Sequence, residues 1–129
     1  MRVFLTGNHE QAWRTELGEF FAMYHIDVFD STGCATEFFP IFKQLKMLEG
    51  CDSLIANFSG MSQQRLMALL EVSYASKLAK EVMIIADIPR KLFWGSDSPY
   101  SKVFADVAGL KDYLSQTSLD RMLRPRLVG

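Results

Sequence analysis

Glu71 is the residue whose position promises chemistry. It lies in the stretch 64–78, QRLMALLEVSYASKL. There Met67, Leu70, Tyr74, Ala75 and Leu78 recur at i, i+3, i+7, i+8 and i+11, the apolar stripe of one helix face. Glu71 stands in the middle of that stripe. A carboxylate on a buried face costs free energy unless it is paired, hydrated in a pocket or neutralised by a raised pKa. Those are also the conditions under which a carboxylate becomes useful for chemistry. The plainer alternative is a side chain at the stripe's edge that snorkels to water or pairs with an arginine.

Other polar residues stand where strands end. Thr6-Gly7-Asn8-His9 forms a turn between a strand and a helix, and backbone N–H groups at such a junction can cradle an anion. The spacing is neither a dinucleotide fingerprint nor a P-loop, and most glycine turns only turn. Arg14 follows Trp13 near the start of the next helix. It could reach a phosphate or hold a carboxylate in register, or stay a solvated helix arginine. Asn57 closes a strand where its amide could bond a sugar or base, although asparagine also simply suits strand ends. Asp52 opens that strand at the far end and reads as a structural turn residue. His9 and His25 lack metal-ligand spacing and no carboxylate cluster accompanies them, so no bound metal is expected. They do not form a Ser-His-Asp or Cys-His arrangement either.

The elements that position these residues alternate. Residues 2–6, RVFLT, form a short strand ending at Gly7. A helix over 9–24 carries the stripe Trp13, Leu17, Phe20, Phe21 and Tyr24. A strand over 26–29 follows, closed by Asp30-Ser31-Thr32-Gly33. The stripe Phe38, Ile41, Phe42, Leu45 and Leu48 marks a second helix ending near Gly50, with Pro40 in its first turn. A third strand covers 52–58, turning at Ser59-Gly60. The helix bearing Glu71 begins near Ser62. Residues 81–86, EVMIIA, are apolar enough for a central strand covered on both faces. IPRKLFWGSDSPY, after Asp87, reads as a loop over the strand ends. Residues 103–107 are a candidate fifth strand and 110–115 a last helix, before a basic tail. This alternation predicts an α/β architecture with a parallel sheet of 4–5 strands and helices on both faces. In such sheets ligands bind beyond the carboxyl ends of the strands. That gathers Gly7, Asn8, Asp30, Asn57, Ser59, Gly60 and Asp87 around one crevice.

Composition sets the limits. The 129 residues suffice for one domain over 1–129 with a sizeable core. The chain is 49% hydrophobic and 22% charged, as in ordinary globular proteins. A net charge of −1 gives no pull toward nucleic acid polymers or an anionic membrane. Cys34 and Cys51 are too few for a disulfide framework or a zinc site, and a reduced, cytoplasmic setting is expected. No apolar run approaches the roughly 18 residues of a bilayer span. The opening MRVFLTG enters a strand directly, without a signal-peptide pattern.

VFLTGN, Trp13-Arg14, the strand Asp52 to Asn57 and the run Leu70-Glu71-Val72-Ser73-Tyr74-Ala75, followed by a hydrophobic strand, together resemble the nucleoside 2-deoxyribosyltransferase-like superfamily. The likeness covers about residues 2–86 and is nearest to its small members with a "VFLxG…WR" opening. It implies a flavodoxin-like or Rossmann-like three-layer sandwich that cleaves the N-glycosidic bond of nucleosides or nucleoside monophosphates. Transferases of this family pass the sugar to another base, and hydrolases pass it to water. The family motif E-[LIV]-[GS]-x-A falls on Glu71, which the resemblance makes the nucleophile of a retaining mechanism. Tyr74, one turn on, would hydrogen-bond it and fix its rotamer. Family transferases place an aspartate about six residues before the glutamate, where this chain has Arg65, and often a tyrosine where it has Phe4. The group that protonates the leaving base is therefore unassigned. Arg65, with Arg14 and the Arg90-Lys91 pair, suits a phosphorylated substrate. The resemblance implies no cofactor.

Two other readings stand beside the enzymatic one. A binding protein on the same scaffold would capture a nucleotide-like ligand without turnover, consistent with the missing aspartate. An interaction module would cover a partner through Phe93-Trp94 and Phe38-Phe39. Family members commonly self-associate, so a homodimer or higher homo-oligomer is expected, with Arg124, Arg126 or residues 127–129 completing a neighbour's crevice.

Overall fold

The computed structural model describes residues 2–8, 10–30, 40–59, 65–86 and 101–118. Their elements run β1 (Arg2–Gly7), α1 (Gln11–Ala22), β2 (Asp27–Asp30), α2 (Pro40–Glu49), β3 (Ser53–Asn57), α3 (Arg65–Lys77), β4 (Glu81–Ile85), β5 (Ser101–Phe104) and α4 (Val107–Tyr113), which continues as a π-helical turn, Leu114–Ser118. The strands form one parallel five-stranded sheet in the order β2-β1-β3-β4-β5. The α/β alternation read from the sequence is thus the architecture observed. Strand order reverses between β1 and β3, so the crevice of an open parallel sheet falls at their carboxyl ends.

Period-two alternation divides the core into two layers. Val3, Leu5, Ile55, Met83 and Ile85 face Trp13, Leu17, Phe20 and Phe21 of α1 and Leu110 and Leu114 from the α4 segment. Phe4, Leu54, Ala56, Val82, Ile84 and Ala86 face Leu48 of α2 and Ala68, Val72 and Ala75 of α3. Each large apolar side chain so buried stabilises the fold by roughly 1.5–3 kcal/mol. Because both faces of the central strands are covered, a one-residue slip would exchange the two layers, and register is strongly specified.

Helix ends show why several expected boundaries move. α1 stops two residues before Tyr24: His25 takes φ +57°, its N–H donates to Ala22 O at 3.1 Å, and the Ile26 N–H donates to Phe21 O at 3.0 Å. This is a Schellman closure with a non-glycine residue in the left-handed position. α3 ends in the same way at Ala79, φ +58°, with the Lys80 N–H donating to Ala75 O at 3.0 Å. The strand expected over 103–107 ends at Phe104. Asp106 instead caps α4, accepting from the Gly109 N–H at 2.8 Å, and the helix claims Val107.

The buried face of α3 is also rotated from the expected stripe. Leu70 and Leu78 are 43% and 41% exposed, while Ala68, Glu71, Val72 and Ala75 are buried. Two alanines let the helix lie close to the sheet. Glu71 is therefore at the centre of the true inward face.

Candidate active site

The site grows from the junction of β1 and β3. Gly7, the last residue of β1, has φ +107°, and a Cβ there would lie 2.2 Å from Asn57 O. Only glycine fits this crossing. The Asn8 N–H then donates to Asn57 O at 2.8 Å, and Asn8 Nδ2 donates to Ser59 O at 2.6 Å. Asn57 Oδ1 in turn accepts from the Ser59 N–H at 2.9 Å. Asn8 Oδ1 accepts from the Glu10 N–H at 2.7 Å, an Asx turn that leads into α1. Gly7, Asn8, Asn57 and Ser59, all expected at one crevice, are tied together by these bonds. The Asn57 carboxamide oxygen is engaged in holding the β3 turn.

Arg14 secures the same junction from α1. It is 3% exposed. Its Nε donates to Asn8 O at 3.1 Å, its Nη2 to Gly7 O at 3.2 Å, and its Nη1 pairs with the Asp30 carboxylate at the end of β2. Trp13 Nε1 adds a bond to Asn8 O at 3.0 Å. Arg14 thus faces the turn's carbonyls and Asp30 rather than standing out to solvent. Burial pulls the Arg14 pKa below its ordinary value, against the opposing pull of Asp30 and then Glu71. At such a pKa scale the group keeps its charge at neutral pH.

Glu71 enters from the other face of the sheet. It is fully buried. Its Oε1 accepts from the Thr6 hydroxyl at 2.5 Å, and its Oε2 has no hydrogen-bond partner among the described residues. An unpartnered buried oxygen of this kind costs about 1–3 kcal/mol, more if charged. Burial pushes the Glu71 pKa up to about 7, with the Thr6 hydrogen bond and the Arg14 charge pulling downward. A carboxyl at that value exists in both protonation states near neutral pH, so it can serve as a nucleophile when ionised. Its inward placement excludes the snorkelling alternative.

Tyr74 does something else than the spacing implied. Its hydroxyl donates to Glu49 Oε1 at 2.5 Å, toward the end of α2, and not to Glu71. One turn along α3 moves the tyrosine away from the carboxyl rim of the sheet. The hydroxyl that contacts Glu71 is that of Thr6, which in the sequence stands out only as a strand end and the first residue of the Gly7-Asn8 turn. The available signal was the period of two: Thr6 shares a strand face with Phe4, the face that α3 covers.

Asp52 lies at the opposite rim, where its carboxylate accepts from the Arg2 N–H at 2.9 Å, a strand-end contact. Gly60, Asp87 and the Arg65 side chain lie outside the described residues, as do His9, Cys34, Phe38-Phe39, Arg90-Lys91, Phe93-Trp94, Arg124, Arg126 and 127–129. Among the described residues, no three of His, Cys, Asp and Glu gather as a metal-binding group. No helix among them is long and apolar enough to cross a membrane.

The parallel 2-1-3-4-5 sheet with helices on both faces is the fold of solved structures of the nucleoside 2-deoxyribosyltransferase-like type. The chain is similar in structure to a 2-deoxyribosyltransferase of Bacillus psychrosaccharolyticus, with a TM-score of 0.67 and 16% identity, over 88% of this chain and 92% of that one. It is also similar to the CMP N-glycosidase BcmB of Clostridium botulinum, with a TM-score of 0.64 and 15% identity, over 89% of this chain and 98% of that one. No protein-family model matches the sequence, and no curated protein matches it.

Proposed function

We infer that this chain cleaves the N-glycosidic bond of a (deoxy)nucleoside or nucleoside 5′-monophosphate, with Glu71 as the nucleophile. The observation that carries this reading is a single one. A fully buried carboxyl, one of whose oxygens has no hydrogen-bond partner among the described residues, sits at the carboxyl rim of the sheet. The likeness to a 2-deoxyribosyltransferase and a CMP N-glycosidase supports the substrate class.

The ionised Glu71 attacks the anomeric carbon of the sugar. A C–O bond forms as the C1′–N bond breaks, and its electron pair leaves with the base, which takes up a proton. Water or an acceptor base then attacks the same carbon, releases the carboxylate and gives up a proton, so configuration is retained overall. Water makes the enzyme a hydrolase, and a base makes it a transferase. Burial helps because a poorly hydrated carboxylate has less solvent to shed before attack. Arg14 and the Gly7–Asn57 crossing hold the rim rigid around it.

The test is incubation with a panel of ribonucleosides, 2′-deoxynucleosides and their 5′-monophosphates, read for free base by chromatography. Released base supports the reading, and faster release from monophosphates assigns the phosphate requirement. Tight binding of a panel member without released base after long incubation favours a binding protein on this scaffold instead.

A further inference from the structure

We propose that the Thr6 hydroxyl is the positioning group of the Glu71 nucleophile, fixing Oε1 and leaving Oε2 as the oxygen that bonds to the anomeric carbon. This rests on the glycosidic reading above and divides roles between the two oxygens within it.

The geometry distinguishes the oxygens. Oε1 accepts from Thr6 Oγ1 at 2.5 Å, and Oε2 has no hydrogen-bond partner among the described residues. A short bond to one oxygen stops rotation of the carboxylate and engages a lone pair there, while the other oxygen keeps its own. Thr6 is well suited to hold still. It is 4% exposed, its β-branch stiffens χ1, and its backbone pairs with Ala56 of β3. The next residue, Gly7, is held against the Asn57 carbonyl.

The same contact survives the chemistry. When the new C–O bond forms at Oε2, the pair of the C1′–N bond leaves with the base, and Oε1 becomes the carbonyl oxygen of the glycosyl ester. That oxygen still accepts from Thr6. When water or a base opens the ester, Oε1 shares the returning negative charge with its donor in place. One hydroxyl therefore serves carboxylate and ester without a change of partner.

The charges around Glu71 leave this role to Thr6. α3 packs against β1, β3, β4 and α2. On the strands, Arg2, Asp52 and Glu81 belong to the opposite, amino-terminal rim. On α2, Lys43, Lys46 and Glu49 are exposed or half-exposed, and Glu49 receives the Tyr74 hydroxyl. The charge that acts on Glu71 comes from Arg14 on α1, without a hydrogen bond between them. Among the described residues, direct contact comes from Thr6.

Thr6→Val preserves the branched shape and removes the donor, and Thr6→Ser restores a donor. Carboxyl NMR of glutamate-labelled protein, with Glu71→Gln assigning the resonance, follows the Glu71 titration without any substrate. The Glu71 midpoint is expected to rise by about one pH unit in Thr6→Val and to return in Thr6→Ser. With a nucleoside that the wild type cleaves, Thr6→Val is expected to lose about tenfold in kcat at unchanged KM. The acidic limb of its pH profile should move in the same direction, and Thr6→Ser should recover both. If Thr6→Val does not fold, Thr6→Ala removes the same donor and is read in the same way. An unmoved midpoint in the folded donor-free variant overturns the proposal, and so does wild-type kcat with a wild-type pH profile. A wild type that releases no base removes the functional reading and the role of Oε2 with it, while the NMR midpoint still reports separately whether Thr6 holds Glu71.

Discussion

Gly7 and Asn57 cross so closely that a Cβ on Gly7 would lie 2.2 Å from the Asn57 carbonyl oxygen and 2.8 Å from its carbonyl carbon and nitrogen. The crossing places the ends of β1 and β3 side by side at the strand-order reversal. Gly7→Ala adds that clash to a φ of +107°. Backbone strain of about 1–3 kcal/mol and overpacking of similar size give an expected loss of roughly 3–5 kcal/mol, read from the midpoint of a urea unfolding curve.

Arg14 serves the same junction. Arg14→Met removes one donor each from the Gly7 carbonyl, the Asp30 carboxylate and the Asn8 carbonyl, the last of which keeps the Trp13 indole N–H. Asp30 is 31% exposed in its side chain and partly rehydrates, so the expected cost is about 2–4 kcal/mol, below the upper range for broken buried pairs. Removing this positive charge also raises the Glu71 pKa further, because Arg14 acts to lower it. Chemical denaturation and the carboxyl titration of Glu71 check the two effects separately.

Burial of Glu71 makes stability depend on pH in a defined sense. Its folded value is about 7 against an ordinary 4.5, so between those values the folded state binds more protons than the unfolded state. The contribution is fully present below about pH 4.5 and is lost as pH rises through about 7, for a total of about 3 kcal/mol. Glu71→Gln removes this dependence. The wild-type minus Glu71→Gln difference in unfolding free energy should therefore fall from pH 4.5 to pH 8, as measured by urea titrations across that range.

On the proposed reading, the same group sets the pH profile of base release. Attack needs the ionised carboxylate, so kcat/KM for base release should rise with pH through about 7 and level off above it. Initial rates at low substrate, taken at half-unit pH intervals, give the limb directly.

At the end of α3, Ala79 occupies the left-handed position with φ +58°. Ala79→Gly relieves that conformation at the cost of a more flexible unfolded chain. The expected net gain is about 0.5–1 kcal/mol, without a change in the Glu71 titration. A thermal melt beside the carboxyl NMR measures both.

The order of strands and helices was legible because short apolar runs bounded by turn residues, such as RVFLT and EVMIIA, alternate with stripes of period near 3.6, as in the helix holding Trp13, Leu17 and Phe21. Glu71 was legible for the same reason, as an acid within an apolar run. Its phase was not, since Leu70 and Leu78 are hydrophobic yet exposed. The small Ala68 and Ala75 mark the true inner face through close packing, which hydrophobicity does not report. Tyr74 was misassigned because helical spacing gives neighbours along one element, whereas Thr6 reaches Glu71 from 65 residues away. The role of Arg14 at the turn depended on the backbone carbonyls of Gly7 and Asn8, which a side-chain pattern does not display. The end of β5 moved because Asp106 acts as a helix cap.

The most direct measurement compares base release by the wild type and by Glu71→Gln, both shown folded by circular dichroism, on the best nucleoside or monophosphate of the panel. The glutamine keeps the size and the oxygen that Thr6 bonds but cannot carry the charge that attacks. Wild-type release, with a loss of about a thousandfold or more in Glu71→Gln, is the predicted result. Release by Glu71→Gln at a rate close to that of the wild type would contradict the account.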